Sequence, residues 1–144
     1  MRKTILLSLL VILMISIGCS SDEDNNPTQT FLEKYDGVVW LEDNTISVDD
    51  YAFLIQLLNS SKSIIDNEMP DGIDGESYCD TETISNITVN EEDTLVGSSG
   101  TETYTLTVTN SGEDLKMEVI DTDPSYPYEE ITYYSRSNYS MNCN

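Results

Sequence analysis

Hydrophobic and polar residues alternate most regularly in the second half of the chain. Tyr104, Leu106 and Val108 are separated by threonines, so an extended strand here has one apolar side and one polar side. The alternation returns in residues 115–119, after the turn-forming residues 110–113. The pattern predicts a β-hairpin with one buried face and one face in water.

Further strands are predicted where short runs of β-branched and aromatic residues lie between turn signals. The loop at residues 67–76 contains Pro70, Gly72 and Gly75, and residues 93–95 are also interpreted as a loop. The additional predicted strands are residues 38–41, 77–81, 84–89 and 128–136.

Residues 49–66 are compatible with two structures. Apolar residues such as Tyr51, Ile55 and Leu58 recur at helical spacing, but the segment is apolar on both sides and contains a polar turn. We favour a hairpin of two strands, because the rest of the chain is so plainly β. A helix is the alternative.

A short helix is predicted before the first strand. Thr30 and Glu33 form a capping box, in which each side chain accepts from a backbone amide that the first helical turn leaves unpaired. Gly37 supplies a left-handed residue that ends the helix, which therefore covers residues 31–36. With seven or eight short strands, the predicted fold class is mainly β: one small antiparallel β-barrel or sandwich with a short N-terminal helix.

The first residues have the pattern of an export signal. Arg2 and Lys3 precede an apolar run over residues 5–17. This run is shorter than the roughly 18 to 20 residues that a membrane-spanning helix needs. We therefore predict a signal peptide rather than a permanent transmembrane helix.

The end of the apolar run, residues 15–19, resembles the lipobox of bacterial lipoproteins. The resemblance implies that residues 1–18 are removed as a signal peptide and that Cys19 then carries acyl chains such as palmitate. Several chains together hold a protein durably at a membrane, whereas one binds only marginally. An ordinary signal cut near Gly18, with Cys19 as a free thiol, is the alternative.

Residues 19–29 are predicted to be a disordered acidic tether before a β domain of residues 30–144. The tether resembles the Ser/Asp-rich export signal of surface lipoproteins in Bacteroidetes. This resemblance implies an outer-membrane location with the domain facing outward. A hydrated spacer is the alternative role, so surface and periplasmic orientations both stay open.

The charge of the chain restricts its partners. The formal net charge is −21, and loss of the leader removes Arg2 and Lys3 and makes it more negative. The remaining basic residues are scattered, so nucleic acid and anionic headgroups are repelled. We expect no nucleic-acid partner, no cofactor, and membrane attachment only through the lipid. The remaining basic residues are Lys34, Lys62, Lys116 and Arg136.

Cys79 and Cys143 remain once Cys19 is assigned to lipid. An exported compartment allows them to form a disulfide, which would close a loop of about 64 residues and contribute roughly 4 kcal/mol. Zinc binding is disfavoured, because the chain has no histidine and no third free cysteine to complete a site.

Acidic residues are frequent in and beside the predicted loop 67–76. Carboxylate oxygens are ligands that calcium prefers, so the loop is a candidate calcium site. The spacing differs from that of an EF-hand, and a solvated loop is the simpler interpretation. The candidate ligands are Asp66, Glu68, Asp71, Asp74 and Glu76.

Residues 31–40, with residues 133–136 and 142–144, resemble a group of small flavobacterial lipoproteins. A short helix before a Gly and a Trp, and an Arg on the last strand, are also similar to lipocalin-like barrels. The resemblance to lipocalins implies that Trp40 closes the barrel base and that Arg136 packs across it. A cation–π contact between them would contribute about 0.5 to 2 kcal/mol and would be structural.

No enzymatic activity is predicted, since the absence of histidine removes the commonest general base. The alternating strands are compatible with a barrel that holds a small apolar ligand. A surface for another envelope protein is the alternative, and the oligomeric state stays open. The candidate contact residues of such a surface are Tyr126, Tyr128, Tyr133, Tyr134 and Tyr139.

The lipobox generates a direct prediction for Cys19. Cells fed labelled palmitate should incorporate label into the wild-type protein, which should sediment with membranes, because acyl chains on the thiol anchor it. The Cys19→Ser variant should take up no label. A wild-type protein that stays unlabelled would contradict the assignment.

Overall fold

The computed structural model describes residues 28–45, 47–141 and 143. The predicted signal peptide 1–18, the lipidation site Cys19 and most of the tether 19–29 lie outside these residues. Within the described ranges, no helix is long and apolar enough to cross a membrane.

Helix α1 spans Phe31–Lys34, and its first turn is closed by the predicted capping box. The Thr30 amide donates to Glu33 Oε2 over 2.9 Å, and the Glu33 amide donates back to Thr30 Oγ1 over 3.4 Å. The helix ends two residues earlier than predicted, because the backbone of Tyr35 has already left the helical region. Gly37 follows with a φ of 74°.

In the part of the chain that the structure describes, nine strands form one antiparallel sheet, in the order β4-β3-β2-β1-β9-β8-β7-β6-β5. The segment with two predicted alternatives forms the hairpin β2–β3, so the hairpin prediction is confirmed. The strands are β1 (Val39–Glu42), β2 (Ala52–Leu58), β3 (Ser63–Met69), β4 (Tyr78–Thr83), β5 (Asn86–Glu91), β6 (Thr94–Ser99), β7 (Glu102–Thr109), β8 (Asp114–Asp121) and β9 (Tyr128–Ser137).

The two edge strands of the sheet, β4 and β5, are separated in the chain by Ile84 and Ser85. The Ile84 amide donates to the Lys62 carbonyl over 2.8 Å, and the Ser85 amide donates to the Ser98 carbonyl over 2.9 Å. Every neighbouring pair around the sheet is antiparallel, which gives β4 and β5 the same direction. They are therefore two halves of one strand that changes partner. The sheet curls into a half-barrel, and a sandwich is not formed.

Strands β6 and β3 both extend into residues predicted as loop. Strand β6 includes Thr94 and Leu95, because its neighbours β5 and β7 pair with both of its edges although Gly97 and serines weaken its hydrophobic pattern. The loop predicted from residue 67 begins after Met69. Asn67 and Glu68 are held in β3 because β2 and β4 pair with that strand on its two sides.

The period of two along each strand produces two apolar clusters, one on each face of the sheet. The larger cluster fills the inside of the half-barrel and includes Trp40, Leu106 and Leu115. The smaller cluster lies on the outer face of β1–β3, around Leu54 and Met69. The predicted alternation along β7 and β8 therefore gives the inner face, as expected.

The predicted disulfide between Cys79 and Cys143 is present, with a Cα–Cα distance of 5.5 Å. It joins the last described residue to edge strand β4. Met141, just before it, packs against the outer cluster. The bridge thus holds the C-terminal segment beside the outer face of the sheet.

Helix α1 fills one end of the half-barrel. Phe31 and Leu32 are buried, and the rings of Phe31, Tyr35 and Trp40 contact one another in sequence at centroid distances of 4.9 and 5.9 Å. The Tyr35 hydroxyl donates to Asp93 over 2.7 Å. Hydrogen bonds to the turn between β5 and β6 therefore hold the helix in place.

Gly97 makes room for the junction between β4 and β5. A methyl group built at its Cα would overlap the Cγ2 atom of Ile84, which is buried beneath the strand change. The absence of a side chain at Gly97 thus allows Ile84 to seal the sheet at this point.

Replacing Gly97 with alanine is expected to lower the free energy of unfolding by about 1 to 3 kcal/mol through overpacking against Ile84. Denaturant unfolding of the single and double variants measures it. In an Ile84→Ala background the space is open, so the same substitution should cost less than about 0.5 kcal/mol. Equal costs in both backgrounds would show that the contact does not restrict the fold.

Candidate functional site

A cavity of about 460 Å³ lies inside the half-barrel and is lined by β-strand residues and by Tyr51 just before β2, with no residue of α1 among them. Its lining comes from the inward positions of the strands, such as Ile64 and Asp66 on β3 and Tyr104 on β7. Since side chains two residues apart share a face, the fold places these groups around one space.

The lining includes an apolar and aromatic wall. Phe53 of β2, Ile64 of β3, and Met117 and Val119 of β8 all belong to it. Tyr134 is only 2% exposed and belongs to the same wall. This part of the cavity can accommodate an apolar group of a ligand.

Six carboxylates also line the cavity, and none of the lining residues is basic. They come from five strands: β1, β3, β4, β7 and β9. We call them the acidic ring: Glu42, Asp66, Asp80, Glu82, Glu102 and Glu130.

Asp66 is the member of the acidic ring whose pKa is shifted furthest. Burial, followed by the charges of Asp80, Glu82 and Glu102, raises the pKa of Asp66 from 3.8 to about 6. The pKa of Glu42 is also raised, first by burial. The surroundings of Asp66 and Glu42 therefore disfavour the ionised forms of these two side chains.

Glu102 is held by two tyrosines. The Tyr128 hydroxyl donates to Glu102 Oε1 over 2.6 Å, and the Tyr104 hydroxyl donates to Oε2. Burial and the bond to Glu102 raise the pKa of Tyr104, so its hydroxyl stays protonated as a donor. These bonds fix the aromatic rings of Tyr104 and Tyr128 beside the carboxylates.

The candidate calcium ligands are divided between a strand and a loop. Asp66 points into the cavity from β3, and Glu68 lies further along the same strand. Asp71, Asp74 and Glu76 lie in the following loop, where Glu76 accepts from the Tyr78 hydroxyl over 3.0 Å. Across residues 28–45, 47–141 and 143, no three His, Cys, Asp or Glu side chains are grouped closely enough to hold a metal ion. The strand geometry separates residues that adjoin in sequence.

Trp40 and Arg136, the predicted closure pair, are direct neighbours across β1 and β9. Trp40 is fully buried, whereas Arg136 is exposed. In the described part of the chain the cation lying over an aromatic ring is Lys34, whose Nζ is 5.4 Å from the Tyr35 ring centre. The base is thus closed by α1 and its aromatic contacts together with Trp40.

The predicted tyrosine surface is divided between two places. Tyr134 is buried and Tyr128 lies at the cavity, so neither belongs to an external face. Exposed positions are occupied by Tyr126, Tyr133 and Tyr139.

Most of the acidic ring was not identified from sequence. The alternation of side chains along a strand indicates two of its members. Glu102 is two residues before Tyr104 and therefore shares its face, and Glu130 shares a face with Tyr128 and Thr132. Alternation alone places such residues on one face. It does not show that the sheet closes and brings Asp80 opposite them.

Comparison of the chain with protein-family models, with curated proteins and with solved structures gives no match.

Asp66→Asn should stabilise the protein above about pH 6. Because the folded pKa lies above the unfolded value, folding favours the protonated form, and stability is lost as pH rises from about 4 to about 6. The substitution removes this loss, which we expect to be on the order of 2 kcal/mol at pH 7. Thermal unfolding measured from pH 4 to pH 8 tests the difference.

The control is Asp74→Asn in the exposed loop. It should change stability by less than about 0.5 kcal/mol at every pH. If Asp66→Asn and wild type have parallel pH profiles, the buried charge of Asp66 is not a cost of folding.

Proposed function

We propose that this chain is an exported lipoprotein, anchored in the outer membrane through acyl chains on Cys19, whose half-barrel binds a small molecule outside the cell. The observation that supports binding most directly is the cavity of about 460 Å³. Small-molecule sites commonly occupy roughly 300 to 1,000 Å³ and combine an apolar wall with a few polar groups. The apolar and acidic linings of this cavity match that description.

Export is supported by the leader and by the disulfide. Disulfides persist in oxidising compartments outside the cytosol, and the Cys79–Cys143 bridge belongs to that chemistry. Anchoring at Cys19 and the outward orientation rest on the lipobox and on the acidic tether. A tether of about 11 residues separates the anchor from the domain, which leaves the cavity free to meet solutes.

We propose that the protein binds its small-molecule ligand and does not transform it. The chain has no histidine, so any proton transfer would fall to carboxylates and tyrosines. The acidic ring is a set of charges around a space, and charges so placed are suited to holding a ligand.

An outer surface supports a second candidate function, contact with an envelope protein. Ile120, Ile131 and Tyr133 on β8 and β9 are 39, 46 and 56% exposed. Exposed apolar residues that adjoin on a sheet mark candidate interaction surfaces. The patch lies apart from the cavity lining, so both functions can be tested separately.

The test of ligand binding is a fragment screen by amide NMR on the full-length protein. Fragments of all charge types are included, and hits are expected to shift residues of the cavity. Met117→Trp should abolish these shifts by filling the cavity. The matched control Ile131→Trp adds the same ring to the outer face and should leave them unchanged.

A screen in which no fragment of any charge shifts the cavity residues would overturn the binding function. Shifts that survive in Met117→Trp but disappear in Ile131→Trp would place binding at the outer patch and favour the second candidate.

A further inference from the structure

We propose that the ligand of the half-barrel cavity is a small organic cation with an apolar body. This inference rests on the binding function proposed above and specifies its ligand. It replaces the wholly apolar ligand expected from sequence, because the cavity wall is only partly apolar.

The lining of the cavity is strongly acidic. The acidic ring lines it without a lysine or arginine. Lys34 pairs with Glu92 and Asp93 near α1, over 2.8 and 2.9 Å, and Lys116 pairs with Glu118 over 3.0 Å. In the described residues, the ion pairs of Lys34 and Lys116 therefore lie outside the cavity. A cation from solution would supply the charge that the cavity lacks.

The carboxylates of the acidic ring are spread over several strands. The acidic ring is distributed over β1, β3, β4, β7 and β9 around the cavity. The described residues contain no cluster of acids with the geometry to hold a metal ion. Carboxylates spread in this way suit a cation of several atoms, such as an ammonium group on a carbon skeleton, better than a single small ion that needs converging oxygens.

Aromatic side chains form part of the cavity wall. Tyr104 and Tyr134 are 7 and 2% exposed and line the cavity together with Phe53 and Tyr128. Aromatic faces attract organic cations, and the effect grows when water is excluded. The hydroxyls of Tyr104 and Tyr128 are bonded to Glu102, which fixes both rings beside a negative charge.

The cavity also has an apolar lining, which an uncharged part of the ligand could cover. Ile64, Met117 and Val119 provide an apolar surface that adjoins the carboxylates, since Ile64 pairs with Glu82 and Val119 with Glu130 on neighbouring strands. A hydrated inorganic cation gains nothing from such a surface. A hydrocarbon body attached to the charged group would cover it, so the two linings together select an amphiphilic cation.

Proton release is an expected companion of binding. Asp66 holds a proton more firmly than usual in the free protein. A cation placed beside it favours the ionised carboxylate, so binding below about pH 6 displaces a proton and affinity rises with pH. Asp80, Glu82 and Glu102 add negative charge around Asp66, and the titratable hydroxyl of Tyr134 is also within reach of its charge.

The test uses three probes with one body and different heads: 4-phenylbutylamine, 4-phenylbutan-1-ol and 4-phenylbutyrate. Calorimetric titration is done on the full-length protein in a nonionic detergent, with detergent alone as the blank. The amine should bind at least about tenfold more tightly than the alcohol, and the carboxylate should not bind. Calcium chloride should neither bind at the cavity nor displace the amine.

Asp66→Asn should weaken the amine about tenfold, leave the alcohol unchanged and abolish the rise of amine affinity between about pH 5 and pH 7. Asp74→Asn, a matched change outside the cavity, should alter none of these values. Met117→Trp should prevent binding of both the amine and the alcohol.

The outcomes separate the two proposals. If amine and alcohol bind equally and Met117→Trp prevents both, the cavity binds ligands but the cationic class is wrong. Calcium binding that competes with the amine and is lost in Asp66→Asn would likewise overturn the organic cation in favour of a metal. If none of the probes binds and the fragment screen also finds no ligand, the binding function itself fails.

Discussion

The change of partner at Ile84 and Ser85 is the constraint on which the rest of the structure depends. One strand leaves β3 and continues along β6, and this brings the two edges of the sheet together. Without that junction the inward residues of β4 and β7 would belong to distant parts of an open sheet. With it, they share one interior. Ile84 itself fits there because Gly97 opposite it has no side chain.

The interior is divided between stability and binding. Around α1 the inward positions are filled by buried apolar and aromatic residues, which supply the core. Beyond them the inward positions become carboxylates and tyrosines around an open cavity. Charges placed there without counter-ions disfavour folding, and an apolar replacement would make a more stable protein. Proteins commonly give up stability in this way at sites of function.

The sequence predicts the elements of this fold better than it predicts the site. Capping by Thr30 and Glu33, the β7–β8 hairpin and the bridge between Cys79 and Cys143 depend on local pattern or on a shortage of alternatives, and each is confirmed. Strand β6 was missed because tertiary pairing overrides its weak pattern. The candidate calcium ligands, which are neighbours in sequence, are divided between strand β3 and the loop after it. Asp80 and Glu102 meet only through sheet closure, which no local pattern encodes.

The central feature of the structure is a half-barrel cavity lined by six carboxylates and by no basic side chain. The most direct measurement is the titration of the Asp66 carboxyl carbon by NMR in the ligand-free protein. The account predicts a midpoint at about pH 6, displaced by burial and by the neighbouring acids. A midpoint near the ordinary value of 3.8 would contradict it, because Asp66 would then be solvated and the acidic ring would not enclose a common space.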